Sequence, residues 1–136
     1  MRLPPLSLYI HLPWCERKCP YCDFNSHEAG IIPESRYVKA LLEDLEEDRS
    51  LVQGRVVQTL FIGGGTPSLF SGQAIRRLLQ GIDGLLPLSP DLEAPMEANP
   101  GSAEAGRFEQ FREAGINRLS LGVQSFDDAS LRALGR

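Results

Sequence analysis

Residues 6–22 have the sequence LSLYIHLPWCERKCPYC, a short apolar stretch followed by three cysteines within eight residues. The apolar run Leu6–Leu12 lies between prolines and predicts a strand that ends at Pro13. From Pro13 to about residue 32 the sequence predicts a loop, and this loop carries all three cysteines. A cluster of thiols therefore follows directly on the carboxyl end of the first predicted strand.

The rest of the chain repeats the order of strand, loop and helix. Apolar and β-branched runs predict the later strands, whereas helical spacing and capping residues such as Ser71 and Ser102 predict the helices. The expected strands cover residues 56–62, 92–98 and 117–123, and the expected helices cover residues 33–50, 71–86, 102–114 and 127–136. Four strand–loop–helix units in a row predict an α/β fold with a parallel sheet.

Four such units correspond to a partial TIM-like (β/α) barrel. A barrel of this kind needs eight strands to close, and an open sheet of apolar strands would leave unpaired edges. We therefore expect residues 1–136 to form a single unit that is the N-terminal part of a longer core domain.

Composition narrows the class of protein. The chain has 136 residues, 42% of them hydrophobic and 24% charged, with a formal net charge of −4. These values are typical of a globular domain, and the negative charge argues against a nucleic-acid partner. The sequence has no apolar run near the roughly 18 residues of a membrane span, and no apolar h-region follows Met1. We expect a cytoplasmic protein, in which thiols are free or bound to metal.

The three cysteines, Cys15, Cys19 and Cys22, form a C-x₃-C-x₂-C pattern. An odd number at such close spacing is a poor disulfide framework. Thiolates are soft ligands that select iron–sulfur clusters, zinc or copper(I). Three of them can hold three corners of a cubane and leave the fourth iron open for a small ligand. The alternative is a zinc site, which needs a fourth ligand such as His11 or His27.

Polar or glycine-rich segments also follow the other predicted strands. Gly63–Pro67 (GGGTP) follows the second strand, Glu97 ends the third, and Gln124 follows the fourth. Because the carboxyl ends of parallel strands meet at one edge, we expect these segments to lie near the cysteine loop. Glycines allow a ligand to approach the backbone. A carboxylate or an amide can bind hydroxyl, amino or carboxylate groups. Ordinary turn and surface roles are the alternatives.

A C-x₃-C-x₂-C loop after a first strand, with an aromatic residue before the last cysteine, resembles the signature of the radical S-adenosylmethionine (SAM) superfamily. The run YIHLPWC…CPYCDFNS over residues 9–26 is more specific. It resembles the oxygen-independent coproporphyrinogen III oxidases and, more closely, the heme chaperones related to them. Those oxidases carry another cysteine two positions after the third, where this chain has Phe24.

The resemblance implies a heme chaperone-like protein that binds a [4Fe–4S] cluster and SAM and takes part in heme trafficking. The expected partners are SAM, heme and a heme-accepting protein. Two alternatives remain open: an oxidoreductase that decarboxylates coproporphyrinogen III with SAM as the radical source, and an inactive fragment that binds only the cluster. His11 and His27 are candidate heme ligands, although we expect the ligand in a further C-terminal part.

The resemblance also assigns residues to the cofactors, and no residue is singled out as catalytic. The expected cluster ligands are Cys15, Cys19 and Cys22. The expected contacts to SAM are Tyr9, Phe24, Gly64, Gly65, Thr66, Glu97, Gln124 and Arg136. Within this set, the glycine-rich segment is implied to contact the amino group of SAM, and the backbone at Phe24 its adenine.

Overall fold

The computed structural model describes residues 3–28 and 30–136, with only the backbone described for residues 102–105. Its main feature is a five-stranded parallel sheet, which confirms the predicted α/β class. The strands, in chain order, are β1 (Leu6–Leu12), β2 (Trp14–Cys15), β3 (His27–Glu28), β4 (Val57–Gly64), β5 (Leu88–Glu93), β6 (Pro95–Ala98) and β7 (Arg118–Leu121). The sheet has the order β1-β4-β6-β7, with β5 also paired to β4, while β2 and β3 form a separate pair.

Helices follow the strands of the sheet. They are α1 (Glu34–Val52), α2 (Gly72–Leu85), α3 (Ser102–Ala114) and α4 (Asp128–Ala133), with one 3₁₀ turn at Pro67–Leu69. The strands β1, β4, β6 and β7 follow one another in the chain and also lie side by side in the sheet. The sheet is therefore open, and helices connect its neighbouring strands, as expected of a partial barrel. In the described part of the chain, no helix is both long and apolar enough to cross a membrane.

The core lies between one face of this sheet and the helices. Ile10 and Leu12 of β1, Leu60 and Ile62 of β4, and Met96 of β6 are buried at alternate positions. They form a single cluster with residues of the first three helices, namely Val38, Ala74, Ile75, Leu78, Leu79, Ile82 and Phe111. This packing places the carboxyl ends of the strands at one edge, where the loops meet.

The third predicted strand, residues 92–98, corresponds to the last two residues of β5 and to all of β6, whereas residues 88–91 of β5 were not predicted as strand. The break lies at Ala94, whose N–H donates to Oδ1 of Asn117 at 2.8 Å rather than to a neighbouring strand. The same side chain donates from Nδ2 to the carbonyl of Leu92 at 2.7 Å. Pro95 has no N–H, so β6 begins at a residue that cannot donate to the ladder. Asn117 therefore has a structural role, since its side chain bridges the break between β5 and β6.

The capping residues were predicted with mixed success. Ser71 caps α2 as expected, since its Oγ accepts from the N–H of Ala74 at 3.1 Å. The prediction of Ser102 as the cap of α3 is wrong, because the helix already begins at Ser102 and Gly101 occupies the N-cap position in an extended conformation. At the other end of α3, Gly115 has φ +120° and ends the helix.

Candidate functional site

The cysteine loop is closed at its base by a short parallel pair of strands. Cys15 is buried in β2, which pairs with β3, and the N–H of His27 donates to the carbonyl of Pro13 at 2.7 Å. Within the loop, the N–H of Cys22 donates to the carbonyl of Cys19 at 3.0 Å and forms a turn. All three cysteines are free, with Cys19 and Cys22 half-buried. The loop thus presents three thiols from one closed segment.

Lys18 is exposed and forms hydrogen bonds to three other residues of this segment. Its N–H donates to Oε1 of Glu28 at 2.7 Å, and its Nζ donates to the carbonyls of Phe24 and Ser26, each at 3.4 Å. The ammonium group is therefore directed to loop carbonyls. The neighbouring Arg17 lines the pocket beside the cysteines and supplies the nearby positive charge.

The glycine-rich segment after β4 packs directly against the cysteine loop. The N–H of Gly65 donates to the carbonyl of Leu12 at 2.9 Å, and that of Thr66 donates to the carbonyl of Trp14 at 2.7 Å. A Cβ atom at Gly65 would lie 2.5 Å from the Trp14 carbonyl oxygen and 3.0 Å from the Cys15 sulfur. Only glycine allows the two loops to approach this closely.

Glu97 lies at the carboxyl end of β6 and faces the same segment. The N–H of Gly64 donates to Oε2 of Glu97 at 3.1 Å, and Gly64 itself has φ +120°, a value that L side chains rarely adopt. An ionised carboxylate has about four acceptor positions, so this bond leaves capacity for a hydroxyl or amino group. The half-buried carboxylate is therefore fixed beside the glycines and can accept further hydrogen bonds.

Arg136 connects the end of the chain to the other loops. Its Nε donates to the hydroxyl of Tyr21 at 3.1 Å, and its Nη1 donates to Oδ1 of Asn99 at 3.1 Å and to the carbonyl of Gly122 at 3.3 Å. Partial burial lowers the pKa of Arg136, but the bond to Tyr21 and the nearby Cys19 outweigh it and raise this pKa. Arg136 is therefore a fixed positive charge beside the cysteine loop.

Gln124 has a left-handed backbone conformation, with φ +67°. Non-glycine residues occupy this region seldom, and such strain is often found at functional sites. Gln124 is the central residue of a tight turn, in which the N–H of Ser125 donates to the carbonyl of Val123 at 2.8 Å. This turn leaves the Gln124 side chain on the lining of the same pocket as Arg136.

Tyr9 lies apart from the pocket lining, on the inner face of β1. Its ring stacks on Phe61 with centroids 6.0 Å apart, and its hydroxyl lies 2.8 Å from Nδ1 of His11. Nε2 of His11 lies 2.8 Å from the carbonyl of Asn25, which can only accept. Nε2 must therefore carry a proton, and in the neutral ring Nδ1 accepts from the Tyr9 hydroxyl. Burial and the charge of Glu97 raise the pKa of Tyr9, which keeps the phenol protonated.

This network bears on the alternative ligands. Both ring nitrogens of His11 are used in hydrogen bonds, which leaves neither for zinc or heme iron. His27 is exposed in β3. Among the residues that the structure describes, no group of three or more His, Cys, Asp or Glu side chains is arranged to hold a metal ion. In a cubane each cysteine binds a different iron atom, so a cluster site does not require the three sulfurs to converge on a single ion.

The cysteine loop and the three segments after β4, β6 and β7 enclose a pocket of about 310 Å³. Of the eleven residues predicted to bind cofactors, all except Tyr9 line it. The lining also contains residues that the sequence did not assign to cofactors, namely Arg17, Tyr21, Ala98, Asn99, Ser120 and Gly122. The sequence did contain an indication for Asn99, because it lies directly after the third predicted strand in residues 97–101 (EANPG), where pocket residues are expected.

Three thiols and four post-strand segments surround one pocket at the carboxyl ends of an open parallel sheet, so the chain has a (β/α) core with a candidate site for a thiolate-bound group. The comparison with protein families specifies the class, because the model of the radical SAM superfamily matches residues 9–136. The chain belongs to the radical SAM superfamily.

Within the superfamily, the chain is similar to the heme chaperone HemW. It is 58% identical over 137 residues to HemW of Escherichia coli strain K12, a match that covers 100% of this chain and 36% of the relative. HemW of Haemophilus influenzae is 51% identical over 140 residues, covering 99% of this chain and 37% of the relative. The chain thus spans little more than a third of the length of the curated relatives it matches.

A solved structure has the same fold. It is described as "Coproporphyrinogen III oxidase (HemN) from Escherichia coli is a Radical SAM enzyme", and it superposes with a TM-score of 0.87 at 33% identity. The match covers 97% of this chain and 31% of that chain. This likeness supports the interpretation of the four units as part of a TIM-like core.

Proposed function

We propose that the chain binds a [4Fe–4S] cluster through Cys15, Cys19 and Cys22, and SAM beside it. The observation that carries this proposal is the convergence of all three thiols with the segments after β4, β6 and β7 on one pocket. The chemistry of the donors fits the group, because three free thiols suit a cubane and Arg17 and Arg136 offset its negative charge. When bound, the pair supplies one-electron chemistry at the sulfonium of SAM.

The residues around the pocket have complementary roles for an amino-acid ligand with a nucleoside. The glycines allow its close approach, Glu97 accepts from amino or hydroxyl groups, and Arg136 and Gln124 can donate to carboxylate or ribose oxygens. The backbone of Phe24, at the mouth of the pocket, is proposed for the adenine. Tyr9 acts through His11 and supports the loop, and its contact with SAM stays a prediction.

The protein that contains this chain is proposed to bind heme and deliver it to an acceptor protein. This proposal rests on the similarity to HemW proteins and on Phe24, which stands where the related oxidases have a further cysteine. The alternative activity, decarboxylation of coproporphyrinogen III, is favoured by the likeness to the solved oxidase structure. A cytoplasmic location stays a prediction, which cell fractionation with an antibody would check.

The first test is anaerobic reconstitution with iron and sulfide, followed by EPR of the dithionite-reduced protein with and without SAM. We expect the signal of a reduced [4Fe–4S] cluster that changes when SAM is added. An EPR signal that does not change when SAM is added would contradict the proposed SAM site. Bound zinc without iron or sulfide would contradict the proposed cluster. Cys19→Ser should lose the cluster, whereas His27→Ala, which removes the remaining zinc-ligand candidate, should keep it.

A second test separates the two candidate activities. Heme added to the reconstituted full-length protein that contains this chain should produce a shifted Soret band, and coproporphyrinogen III with SAM and reductant should yield no decarboxylated product. Product formation would assign the protein to the oxidases. Absence of both heme binding and product would leave only a protein that binds the cluster and SAM.

A further inference from the structure

We propose that Asn99 is a positioning residue that fixes the Thr66 hydroxyl as a donor toward the carboxylate of the bound ligand. The inference rests on the proposed SAM site and assigns a contact within it. Asn99 stands directly after β6 and lies between the glycine-rich segment and the end of the chain. Its amide contacts one residue from each of these regions.

The geometry determines how the Asn99 amide is oriented. Nη1 of Arg136 lies 3.1 Å from Oδ1 of Asn99, and a guanidinium group can only donate. The atom that faces Arg136 must therefore be the amide oxygen. The amide nitrogen then faces Thr66, and its distance of 3.2 Å to Oγ1 is that of a hydrogen bond.

This orientation in turn determines the role of Thr66. The amide nitrogen only donates, so the Thr66 hydroxyl oxygen accepts this bond. The hydroxyl hydrogen remains able to donate into the pocket that Thr66 lines. Because Thr66 is only 6% exposed and its N–H is bound to the carbonyl of Trp14, its position is well fixed. One lone pair of this hydroxyl is occupied by Asn99, and its buried O–H needs an acceptor, which favours a ligand group that accepts.

The ligand group that fits is a carboxylate. Arg136 provides a positive charge on one side of Asn99, and the Thr66 hydroxyl provides a donor on the other. An ammonium group needs acceptors, and the carboxylate of Glu97, which is held by the Gly64 N–H, offers them. Asn99 thus helps the site to distinguish the carboxylate of SAM from its ammonium group, because it orients the Thr66 hydroxyl as a donor.

Asn99→Asp provides a sharp test, because the side chain keeps its shape and its bond to Arg136 but can no longer donate to Thr66. The Thr66 hydroxyl would then donate to Asp and present a lone pair to the ligand. Binding of SAM and of decarboxylated SAM, which lacks only the carboxylate, is measured by calorimetry on the reconstituted protein. We expect Asn99→Asp to reduce the preference for SAM over decarboxylated SAM by about tenfold.

Matched variants separate this role from a purely structural one. Thr66→Val should lose the same preference, whereas Thr66→Ser should keep it, and this pair tests the inference even where Asn99→Asp does not fold. Equal loss of both ligands in Asn99→Asp and Thr66→Val, or unchanged affinity for both, would overturn the inference. A wild-type protein that carries the cluster but does not bind SAM would overturn the proposed SAM site and the inference with it.

Discussion

The two faces of the sheet differ in kind although they belong to the same strands. On the helix-facing side, Leu12, Leu60 and Ile62 are fully buried. On the inner side, the neighbouring positions carry Tyr9, which is 57% exposed, and the half-buried Phe61. The inner residues contact one another by ring stacking and hydrogen bonds, whereas the outer ones form a continuous apolar core.

This contrast shows that different faces of the sheet carry the residues that stabilise the fold and the residues that can bind a ligand. Because side chains alternate along a strand, each strand contributes to both faces at once. The apolar face supplies the burial that stabilises the fold, and the inner face with its loops carries the groups that can bind a ligand. Substitutions on the two faces should therefore have distinguishable effects.

The largest loss of stability is expected for substitutions in the apolar core. Ile62→Ala should lower the free energy of unfolding by about 2–5 kcal/mol, because it removes buried methyl groups and leaves a cavity. The adjacent Phe61, on the inner face and only half-buried, provides a matched control, and Phe61→Ala should cost less than Ile62→Ala. Urea denaturation of the iron-free protein, followed by circular dichroism, measures both.

This comparison would fail if Phe61→Ala were as destabilising as Ile62→Ala. Such a result would mean that the inner face also stabilises the fold and that the separation of the two faces is wrong.

The next effect concerns the contact between the two loops. Gly65→Ala should displace the glycine-rich segment from the cysteine loop at a cost of about 1–3 kcal/mol, typical of overpacking, since the new Cβ would overlap the Trp14 carbonyl. We expect less bound iron after reconstitution, measured by iron and sulfide analysis. Gly84→Ala is the control, because a Cβ at this position in α2 meets no atom within 4 Å among the described residues.

In the control variant, alanine should favour the helix by about 0.5–1 kcal/mol and leave the iron content unchanged. Equal iron content in both variants would contradict the importance of the loop contact.

The order of elements could be predicted from the sequence because apolar periodicity and the glycine and proline positions both indicated it. β1 has the predicted bounds Leu6–Leu12, and the helices agree to within a few residues. Pro95 is a local sign that the third strand is weak, but the break at Ala94 also depends on the side chain of Asn117, which lies more than twenty residues further along the chain. A contact between residues so far apart in the chain cannot be predicted from the local sequence.

The site was predictable to a similar degree. The cysteines, the glycines and Glu97 could be found because each follows the end of a predicted strand. The shared use of Asn99 by Thr66 and Arg136 could not, since a loop asparagine has many ordinary roles and only the fold brings these residues together. Tyr9 is not on the pocket lining, and its hydroxyl is hydrogen-bonded to His11 two residues further along the same strand; its contact with SAM stays a prediction.

A smaller effect is expected at His11, which links the inner face of β1 to the cysteine loop. His11→Phe should remove the donor to the Asn25 carbonyl and lower the free energy of loop opening by about 1 kcal/mol. Amide hydrogen exchange of residues 16–26 in the iron-free protein should then be about fivefold faster. Tyr9→Phe keeps the bond to Asn25 and should change exchange less; equal acceleration in both variants would contradict the role of that bond.

The smallest effect is expected at α4, the helix that leads to Arg136. The N–H and the hydroxyl of Ser130 both donate to Asp127, each at 2.8 Å, and these bonds lower the pKa of its carboxyl group. The cap therefore contributes fully above the ordinary pKa of aspartate, about 3.9, and its contribution is lost as the pH falls through the lower folded value. Amide exchange of residues 131–136 in the iron-free protein should accelerate only in that acidic range.

Asp127→Asn should reduce this pH dependence, because an amide side chain can still accept from Ser130 but does not titrate. Asp128, in the first turn of the same helix and highly exposed, is the matched control, and Asp128→Asn should leave the acidic transition in place. Persistence of the full transition in Asp127→Asn would show that another group controls the helix. The cap could then no longer be held responsible for keeping Arg136 beside Asn99, and the support for that contact would have to come from Tyr21 and the Gly122 carbonyl instead.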